Sequence, residues 1–585
     1  MTPNCHAQTT FVSRTLLFWI TSVTLVGTAL AAGRTTQEPN LQESRYPRAG
    51  RSVVIAPHGM VATSQPLAAQ VGLDILRRGG NAVDAAIATN AAMGLMEPMS
   101  CGIGGDLYAI VWDAKTQKLY GLNASGRSPY RATLEYYRDK GYKYIPTSGP
   151  LSWSVPGCVD GWDQLHKRFG SMSLGQVLEP SIRYAEEGFP VSEVIAGYWQ
   201  ASARTLNASE NTSATYLPGG RAPRVGDLFK NPRLARSYRE IAEKGRDGYY
   251  KGRIAREIAG YSDHVGGLFS IRDFEEHTSK WVDPVGTTYR GYSVWEIPPP
   301  GQGIAALQML NILEGFDLKS KGADSADYWH LFLEAKKLAY ADRAKYYTDA
   351  EFAKVPTNTL ISKPYAETRR KLIDPARAMV DVAAGDAMIG KADTIYLCVV
   401  DKDRNCVSLI QSNFAGFGSG LAAGELGFAL QNRGALFALD PNHANRLEPH
   451  RRPFHTIIPA MVTKDNKPWF TFGVMGGDMQ PQGHVQVLCN MIDFGMNVQQ
   501  AGEALRLEHT GSAAPTGHPA DSKGGTVHAE IGMRESMLED LRRRGHQITM
   551  TARNGGGYQG ILIDPKTGML HGGSERRKDG CAVGY

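Results

Sequence analysis

The most informative segment of the chain is DTIYLCVVDKDRNCVSLIQSNFAGFGSG, residues 393–420. Apolar and β-branched residues fill TIYLCVV, from Thr394 to Val400, and CVSLIQ, from Cys406 to Gln411. Between them lies the polar run DKDRN, residues 401–405, which is typical of a turn. The pattern predicts a β-hairpin whose first strand begins at Thr394.

Helical patterns dominate the chain near its start. Apolar residues recur every four positions from Leu67 to Ile75, and the pair Gly79-Gly80 is typical of a helix end. Asn81 is a favourable N-cap for a second, alanine-rich helix from Ala82 to about Leu95. Alanine around most of a helix predicts close packing inside the protein.

The remaining predicted elements mix strands and helices. They are strands at Leu107–Trp112, Phe470–Val474 and Gly560–Ile563, and helices at Ala326–Asp342, Val485–Phe494 and Glu535–Arg544. This mixture indicates an α/β layered protein. Length suggests about two to four domains, although a single intertwined unit of this size is an alternative.

Composition argues against a nucleic-acid partner. The 585 residues are 42% hydrophobic, which is enough for a large buried core. Lys and Arg number 64 against 58 Asp and Glu, so the net charge is only +6. No dense basic run with interleaved aromatic residues occurs, and such a run is what nucleic-acid binding requires.

Residues 1–32 have the features of a secretory signal peptide. Arg14 precedes an apolar run over residues 15–32, and Ala29-Leu30-Ala31 is a small-x-small cleavage pattern. The run approaches the length that spans a membrane, so an uncleaved anchor is the alternative. We expect export to the periplasm or the extracellular space.

Neither a metal nor another cofactor is predicted. The cysteines beyond the signal segment are scattered, without a C-x-x-C pair or histidines at zinc spacing, and we expect mostly buried free thiols. The H-E-x-x-H, Walker and G-x-S-x-G motifs are absent. The glycine-rich residues 102–106 open a strand rather than a helix, which argues against a dinucleotide site.

Four ordered motifs carry a family resemblance. They are GGNAVDAAIATNAAMGLMEPMSCGIGGD (residues 79–106), the stretch 393–420, VMGGD (residues 474–478) and RRKDGCAVGY (residues 576–585). Together they resemble γ-glutamyltranspeptidases from about Val53 to Tyr585. The resemblance implies an α/β fold, an αββα sandwich of the N-terminal-nucleophile hydrolase type formed by two autoprocessed subunits. These would be a large subunit, residues 33–393, and a small subunit, residues 394–585, which stay together as a heterodimer.

The same resemblance implies the catalytic residues. Thr394 would cut its own peptide bond to Asp393 and become the nucleophile. A threonine hydroxyl needs a base, and a free α-amino group with an unperturbed pKa of about 7.7–8.0 can serve as one near neutral pH. Ser412 would hydrogen-bond to Thr394, and the backbone N–H groups of Gly476 and Gly477 would form the oxyanion hole.

The acyl-binding positions depart from the family pattern. Where relatives hold the ammonium group of a glutamyl substrate, this chain has Phe414, Arg433 and Leu436, and Asn413 is one residue out of register. His455-Thr456 replace the paired serines that contact the α-carboxylate. Arg127 and Arg433 are both candidates to bind that carboxylate, because arginine can bind it through two parallel hydrogen bonds.

Two enzymatic functions and one non-enzymatic function follow. The first is cleavage of γ-glutamyl amides such as glutathione, with transfer of the glutamyl group to water, amino acids or peptides. The alternative is deacylation of another amide whose acyl chain bears a carboxylate, as in glutaryl or cephalosporin acylases. Family membership favours the first, and the missing ammonium anchors favour the second. The function of another class is an uncleaved, inactive secreted binding protein.

Overall fold

A computed structural model describes residues 50–380, 382, 392–552 and 556–585, with the backbone alone at residues 392 and 393. The predicted signal peptide, residues 1–32, lies outside the described residues. No helix in the described ranges is both long and apolar enough to cross a membrane.

The described strands are β1 Val54–Ala56, β2 Met60–Thr63, β3 Asp106–Asp113, β4 Lys118–Ala124, β5 Phe189–Pro190, β6 Leu228–Phe229, β7 Lys280–Val282, β8 Val285–Tyr289, β9 Tyr292–Glu296, β10 Ala392–Val400, β11 Cys406–Ala415, β12 Ala460–Lys464, β13 Lys467–Val474, β14 Leu507–Thr510, β15 Thr526–Glu530, β16 Ile548–Thr551, β17 Tyr558–Ile563, β18 Leu570–Ser574 and β19 Cys581–Gly584.

The described α-helices are α1 Pro66–Arg77, α2 Ala82–Met96, α3 Leu134–Asp139, α4 Cys158–Phe169, α5 Leu174–Glu187, α6 Glu193–Leu206, α7 Glu210–Tyr216, α8 Pro232–Tyr250, α9 Arg253–His264, α10 Ile271–Glu275, α11 Gly303–Leu313, α12 Leu318–Lys321, α13 Ala326–Tyr346, α14 Thr357–Leu360, α15 Lys363–Arg370, α16 Met479–Ile492, α17 Val498–Glu503 and α18 Glu535–Arg543. Short 3₁₀ helices lie at Pro150–Ser152, Pro218–Gly220 and Arg433–Leu436.

Two antiparallel sheets, each of seven described strands, form the centre of the molecule. Sheet 1 has the order β1-β18-β17-β13-β12-β9-β8, and sheet 2 has the order β19-β2-β10-β11-β3-β4-β7. Both sheets combine strands from before and after residue 393. In sheet 2, for example, β2 lies between β10 and β19 and pairs with both.

The sheets stack face to face between helices. Along β10, Tyr396 and Cys398 belong to the apolar core shared with sheet 1, whereas Leu397 and Val399 belong to the core on the helical side. Such alternation is what a strand buried on both faces requires. Helices α1 and α2 cover the outer face of sheet 2, and α11 and α16 cover that of sheet 1. The described residues therefore form four layers in the order αββα.

The ten elements that the sequence predicts, five helices and five strands, each correspond to a described element. The hairpin is confirmed, with Val400 opposite Cys406 and Leu397 opposite Leu409, although β11 continues to Ala415. Asn81 caps α2 as expected, because its side chain accepts hydrogen bonds from the backbone N–H groups of Val83 and Asp84. The predicted start of the helix at Val485 was wrong, because α16 begins at Met479. Pro481 is tolerated there, since backbone N–H groups in a first helical turn have no partner in the helix.

The prediction of mostly buried free thiols is confirmed for the described cysteines. None of these six forms a disulfide bond with another described cysteine; Cys101, Cys158, Cys398, Cys406 and Cys489 are buried, and Cys581 is half-buried.

Candidate active site

Thr394 lies at an irregularity of the β10–β11 ladder. Asp393 pairs with Phe414 and Ile395 pairs with Gln411, so two residues of β11 face Thr394 alone. A bulge of this kind re-aims side chains and is common beside active sites. The Thr394 hydroxyl is buried and lies 3.3 Å from the Ser412 hydroxyl, to which it donates. The Ser412 oxygen also accepts from the backbone N–H of Phe414 at 2.8 Å.

The side chains of Ser412 and its neighbour Asn413 lie on opposite sides of sheet 2. Asn413 donates to the carbonyl oxygens of Cys101 at 3.1 Å and Pro98 at 3.4 Å, just beyond α2. Because successive strand residues point to opposite faces, this places Asn413 on the helical side and Ser412 on the side of Thr394. Asn413 is therefore not available to an acyl group bound beside Thr394.

The glycine pair follows β13 in the facing sheet. The two sheets approach closely here, since a Cβ on Gly473 would lie 2.5 Å from the ring of Tyr396. Gly476 and Gly477 have φ values of 109° and 57°, which favour glycine. No described residue accepts a hydrogen bond from either glycine N–H. Both N–H groups are therefore unengaged within the described part of the chain.

Arg433 is a buried cation without a carboxylate partner in the described residues. Its Nη1 donates to Thr456 Oγ1 at 2.6 Å, and its guanidinium carbon lies 5.0 Å from the ring centroid of Phe414. Its Nε and Nη2 have no hydrogen-bond partner among described residues, although the side chain is fully buried. Burial lowers the pKa of Arg433 to about 10. The group remains charged at neutral pH and can receive an anion.

Arg127 and His455 already have hydrogen-bond partners within the protein. Arg127 Nη2 lies 2.9 Å from Glu351 Oε2, and its Nη1 donates to the His450 carbonyl at 3.1 Å. His455 Nε2 lies 3.0 Å from Asp106 Oδ2, and its Nδ1 accepts from the backbone N–H of Ile457 at 3.3 Å. Burial, together with Arg433, lowers the pKa of His455 to about 4, so its ring is neutral. The structure thus brings Thr456 and Arg433 together and gives Arg127 and His455 other partners.

Four further polar residues surround these groups and were missed by sequence reasoning. Asp106 Oδ1 accepts from the backbone N–H groups of Gly126 at 2.8 Å and Gly157 at 3.1 Å. Gln302, Arg343 and Asp478 form a hydrogen-bonded chain beside the glycine pair. The only sequence signal for two of them was their place in a motif, since Asp478 ends VMGGD and Gln302 lies in PPPGQG.

One cluster away from Thr394 has the residue types of a metal site. The side chains of His330, Glu334 and His546 place one nitrogen or oxygen each within 4.8 Å of one another. His330 Nδ1 and His546 Nε2 lie 2.9 Å apart, and Lys337 Nζ is 2.8 Å from Glu334 Oε1. A hydrogen-bond network with an ammonium group explains these contacts, so they give no support to a metal.

Together these features define a class of protein. A strand-borne threonine beside a second hydroxyl, within four αββα layers whose facing sheet leads into a glycine loop, is the arrangement of N-terminal-nucleophile hydrolases. The gamma-glutamyltranspeptidase family model matches residues 68–585, and the chain belongs to that family, as its motifs predicted.

Relatives of this chain include proteins named as glutathione hydrolases and proteins named as acylases. The glutathione hydrolase-like YwrD proenzyme of Bacillus subtilis (strain 168) is 37% identical over 535 residues, covering 91% of this chain and 99% of the relative. The acylase ACY 1 proenzyme of Pseudomonas sp. (strain SE83) is 34% identical, covering 90% and 93%. The crystal structure of cephalosporin acylase from Bacillus halodurans is 44% identical with a TM-score of 0.85, covering 93% of this chain and 98% of that chain.

Proposed function

We propose that this protein is an exported, self-processing amidohydrolase whose nucleophile is Thr394 and whose acyl substrate carries a carboxylate. The observation that carries the proposal is the 3.3 Å contact between the hydroxyls of Thr394 and Ser412 at the bulge of β10 and β11. In the maturation step, Thr394 Oγ attacks the carbonyl carbon of Asp393. The C–N bond breaks as the nitrogen takes up a proton, and water then hydrolyses the resulting ester.

Maturation yields subunits of residues 33–393 and 394–585. The sheet order supports their lasting association as a heterodimer, because β1, β8 and β9 of the first segment flank β12, β13, β17 and β18 of the second. Separating the subunits would break backbone ladders within both sheets and expose the shared core.

Turnover then uses the groups that maturation creates. The neutral α-amino group of Thr394 takes the hydroxyl proton as the oxygen attacks the substrate amide carbon. The N–H groups of Gly476 and Gly477 bind the oxyanion, and each such donor typically lowers the barrier by about 2.7–4 kcal/mol. The amine leaves with a proton, and water hydrolyses the acyl-threonine ester.

Acyl recognition favours a carboxylate without an adjacent ammonium group. Arg433 offers two unbonded nitrogens in a buried setting, where a carboxylate would be its natural partner. Phe414 and Leu436 provide no acceptor for an ammonium group, and Asn413 is turned to the helical side. Amides of glutaryl-like dicarboxylic acids therefore fit the geometry best. γ-Glutamyl amides such as glutathione are the second candidate, supported by the relative named glutathione hydrolase-like.

The first test is intact-mass analysis of the purified wild-type protein, Thr394→Ala and Thr394→Ser. We expect two fragments in the wild type, the smaller beginning at Thr394, and one uncut chain in Thr394→Ala. The serine variant keeps a hydroxyl and should still be cut. Thr471→Ala, a buried threonine of β13, controls for general damage to the sandwich. A wild-type chain that stays whole would refute the mechanism and favour the inactive binding protein.

The second test compares substrates on the processed enzyme. Rates with glutaryl-p-nitroanilide and γ-glutamyl-p-nitroanilide, each with and without glycylglycine as acceptor, separate the two acyl classes and separate hydrolysis from transfer. A higher kcat/KM for the glutamyl substrate would favour the second candidate. N-terminal sequencing of protein from the periplasm or medium tests export and removal of residues 1–32.

A further inference from the structure

A single buried amide joins the glycine loop to the anion site. Gln302, immediately before α11, donates through Nε2 to the carbonyl oxygens of Thr456 at 2.7 Å and Gly477 at 2.8 Å. Gly477 belongs to the proposed oxyanion hole, and Thr456 carries the hydroxyl that binds Arg433. Gln302 therefore links two segments that would bind opposite ends of an acyl group. The glycine loop would bind the reacting carbonyl, and Thr456 contacts the arginine that would bind the carboxylate.

Arg343 of α13 fixes the orientation of this amide. Its Nη1 donates to Gln302 Oε1 at 2.6 Å and to Asp478 Oδ1 at 2.7 Å, and its Nη2 lies 3.1 Å from Asp478 Oδ2. Because arginine has only donors, the amide oxygen must face it and the amide nitrogen must face the two carbonyls. Burial raises the pKa of Asp478, but Arg343 outweighs this and the pKa lies below its usual value. The Arg343–Asp478 pair is thus fully charged.

The glycine loop needs such external support. Gly476 and Gly477 are free to adopt many backbone conformations, so their own chemistry does not fix where their N–H groups point. Met479 and Gln480 of α16 donate to the carbonyls of the two glycines. Side chains hold the loop as well, through the Gly477 carbonyl by Gln302 and through Asp478 by Arg343 and by the hydroxyl of Tyr340, which donates to the Asp478 carbonyl.

We propose that Gln302, oriented by Arg343, is a positioning residue that fixes the oxyanion glycines relative to the anion site. Neither side chain touches the reacting atoms. The inference rests on the proposed function, in which Gly476 and Gly477 bind the oxyanion. It predicts that damage to this link lowers kcat more than it raises KM, because the N–H groups interact most strongly with the transition state.

The test is Gln302→Glu in the processed enzyme, assayed with glutaryl-p-nitroanilide per mole of cleaved protein. Glutamate has the same shape but cannot donate to two carbonyls. We expect kcat to fall by about 10- to 100-fold, the effect of misplacing catalytic groups by about 1 Å or less, with KM within about threefold of wild type.

A matched control lies two turns along α16. Gln486 is buried and also donates through Nε2 to two backbone carbonyls, those of Gln482 at 3.2 Å and Leu507 at 2.9 Å. Gln486→Glu should lower thermal stability and leave kcat near wild type. Equal losses of kcat in both glutamate variants, or no loss in Gln302→Glu, would overturn the inference.

Arg343→Lys provides the second variant if Gln302→Glu is not cleaved or does not fold. Lysine keeps the charge but not the forked geometry, so we expect an intermediate fall in kcat with little change in KM. A wild-type kcat in this variant would equally overturn the inference. A wild-type enzyme without Thr394-dependent activity would instead refute the proposed function, so the two failures are distinguishable.

Discussion

Replacement of Arg433 by methionine tests the substrate class most directly. Arg433 has one hydrogen bond to a described residue, and its Nε and Nη2 are unbonded within the described part of the chain. A substrate carboxylate would gain one or two charge-assisted hydrogen bonds there. Such bonds contribute about 1.5–3 kcal/mol, which corresponds to about 10- to 150-fold in kcat/KM.

The assay compares two acyl groups of similar length. Wild type and Arg433→Met are measured with glutaryl-p-nitroanilide and with valeryl-p-nitroanilide, which lacks the carboxylate. We expect the full loss with the glutaryl substrate and little change with the valeryl substrate. The thermal midpoint of Arg433→Met should be at or above that of wild type, because the variant no longer buries an unpaired charge.

Two results would contradict a carboxylate-binding role for Arg433. Equal losses for both substrates would mean that Arg433 supports the site without reading the carboxylate. A selective loss in Arg127→Met, with none in Arg433→Met, would assign the carboxylate to Arg127 despite its contact with Glu351. Arg433→Lys refines the answer, because lysine keeps the charge without the bidentate geometry and should recover only part of the lost rate.

Three further predictions follow. Ser412→Ala should slow cleavage of the chain and turnover by about tenfold, the worth of one hydrogen bond, as followed by gel time course and kcat. Asn413→Ala should lower the thermal midpoint but leave the ratio of glutaryl to γ-glutamyl rates unchanged, and a changed ratio would contradict its placement. In the pH profile, kcat/KM should fall below roughly pH 8, as the α-amino base is protonated. For the glutaryl substrate alone, it should also fall as pH rises through about 10, where Arg433 loses its proton.

Local sequence patterns were sufficient to predict the elements near Thr394. The β10–β11 hairpin follows from apolar runs around a polar turn, and the start of α2 follows from the capping chemistry of Asn81. The sequence did not show which face of the sheet each β11 side chain occupies. That depends on the bulge opposite Thr394, which arises from how β10 and β11 pair. A shift of one residue turns a side chain to the other face, and this separates Phe414 at the site from Asn413 behind it.

The two arginines show a second limit. Arg127 and Arg433 were equivalent as carboxylate ligands in the sequence, since both are basic and near family motifs. They differ in contacts with residues distant in the sequence. Glu351 forms an ion pair with Arg127, whereas no described carboxylate pairs with Arg433. Gln302 and Arg343 were missed for the same reason, because their partners lie more than a hundred residues away for most of their bonds.

The position of the proposed cut explains how the fold survives it. The proposed cut before Thr394 would detach from the strand only two of the eight residue pairs between β10 and β11 and none of the four between β10 and β2. The strand that carries the proposed nucleophile would therefore keep its neighbours while its first nitrogen became a free amine. One of the two lost pairs is Asp393 with Phe414, whose ring lies beside the Arg433 guanidinium. In the proposed mechanism, the event that creates the base also frees the edge of β11 at the anion site, so maturation prepares both ends of the acyl pocket together.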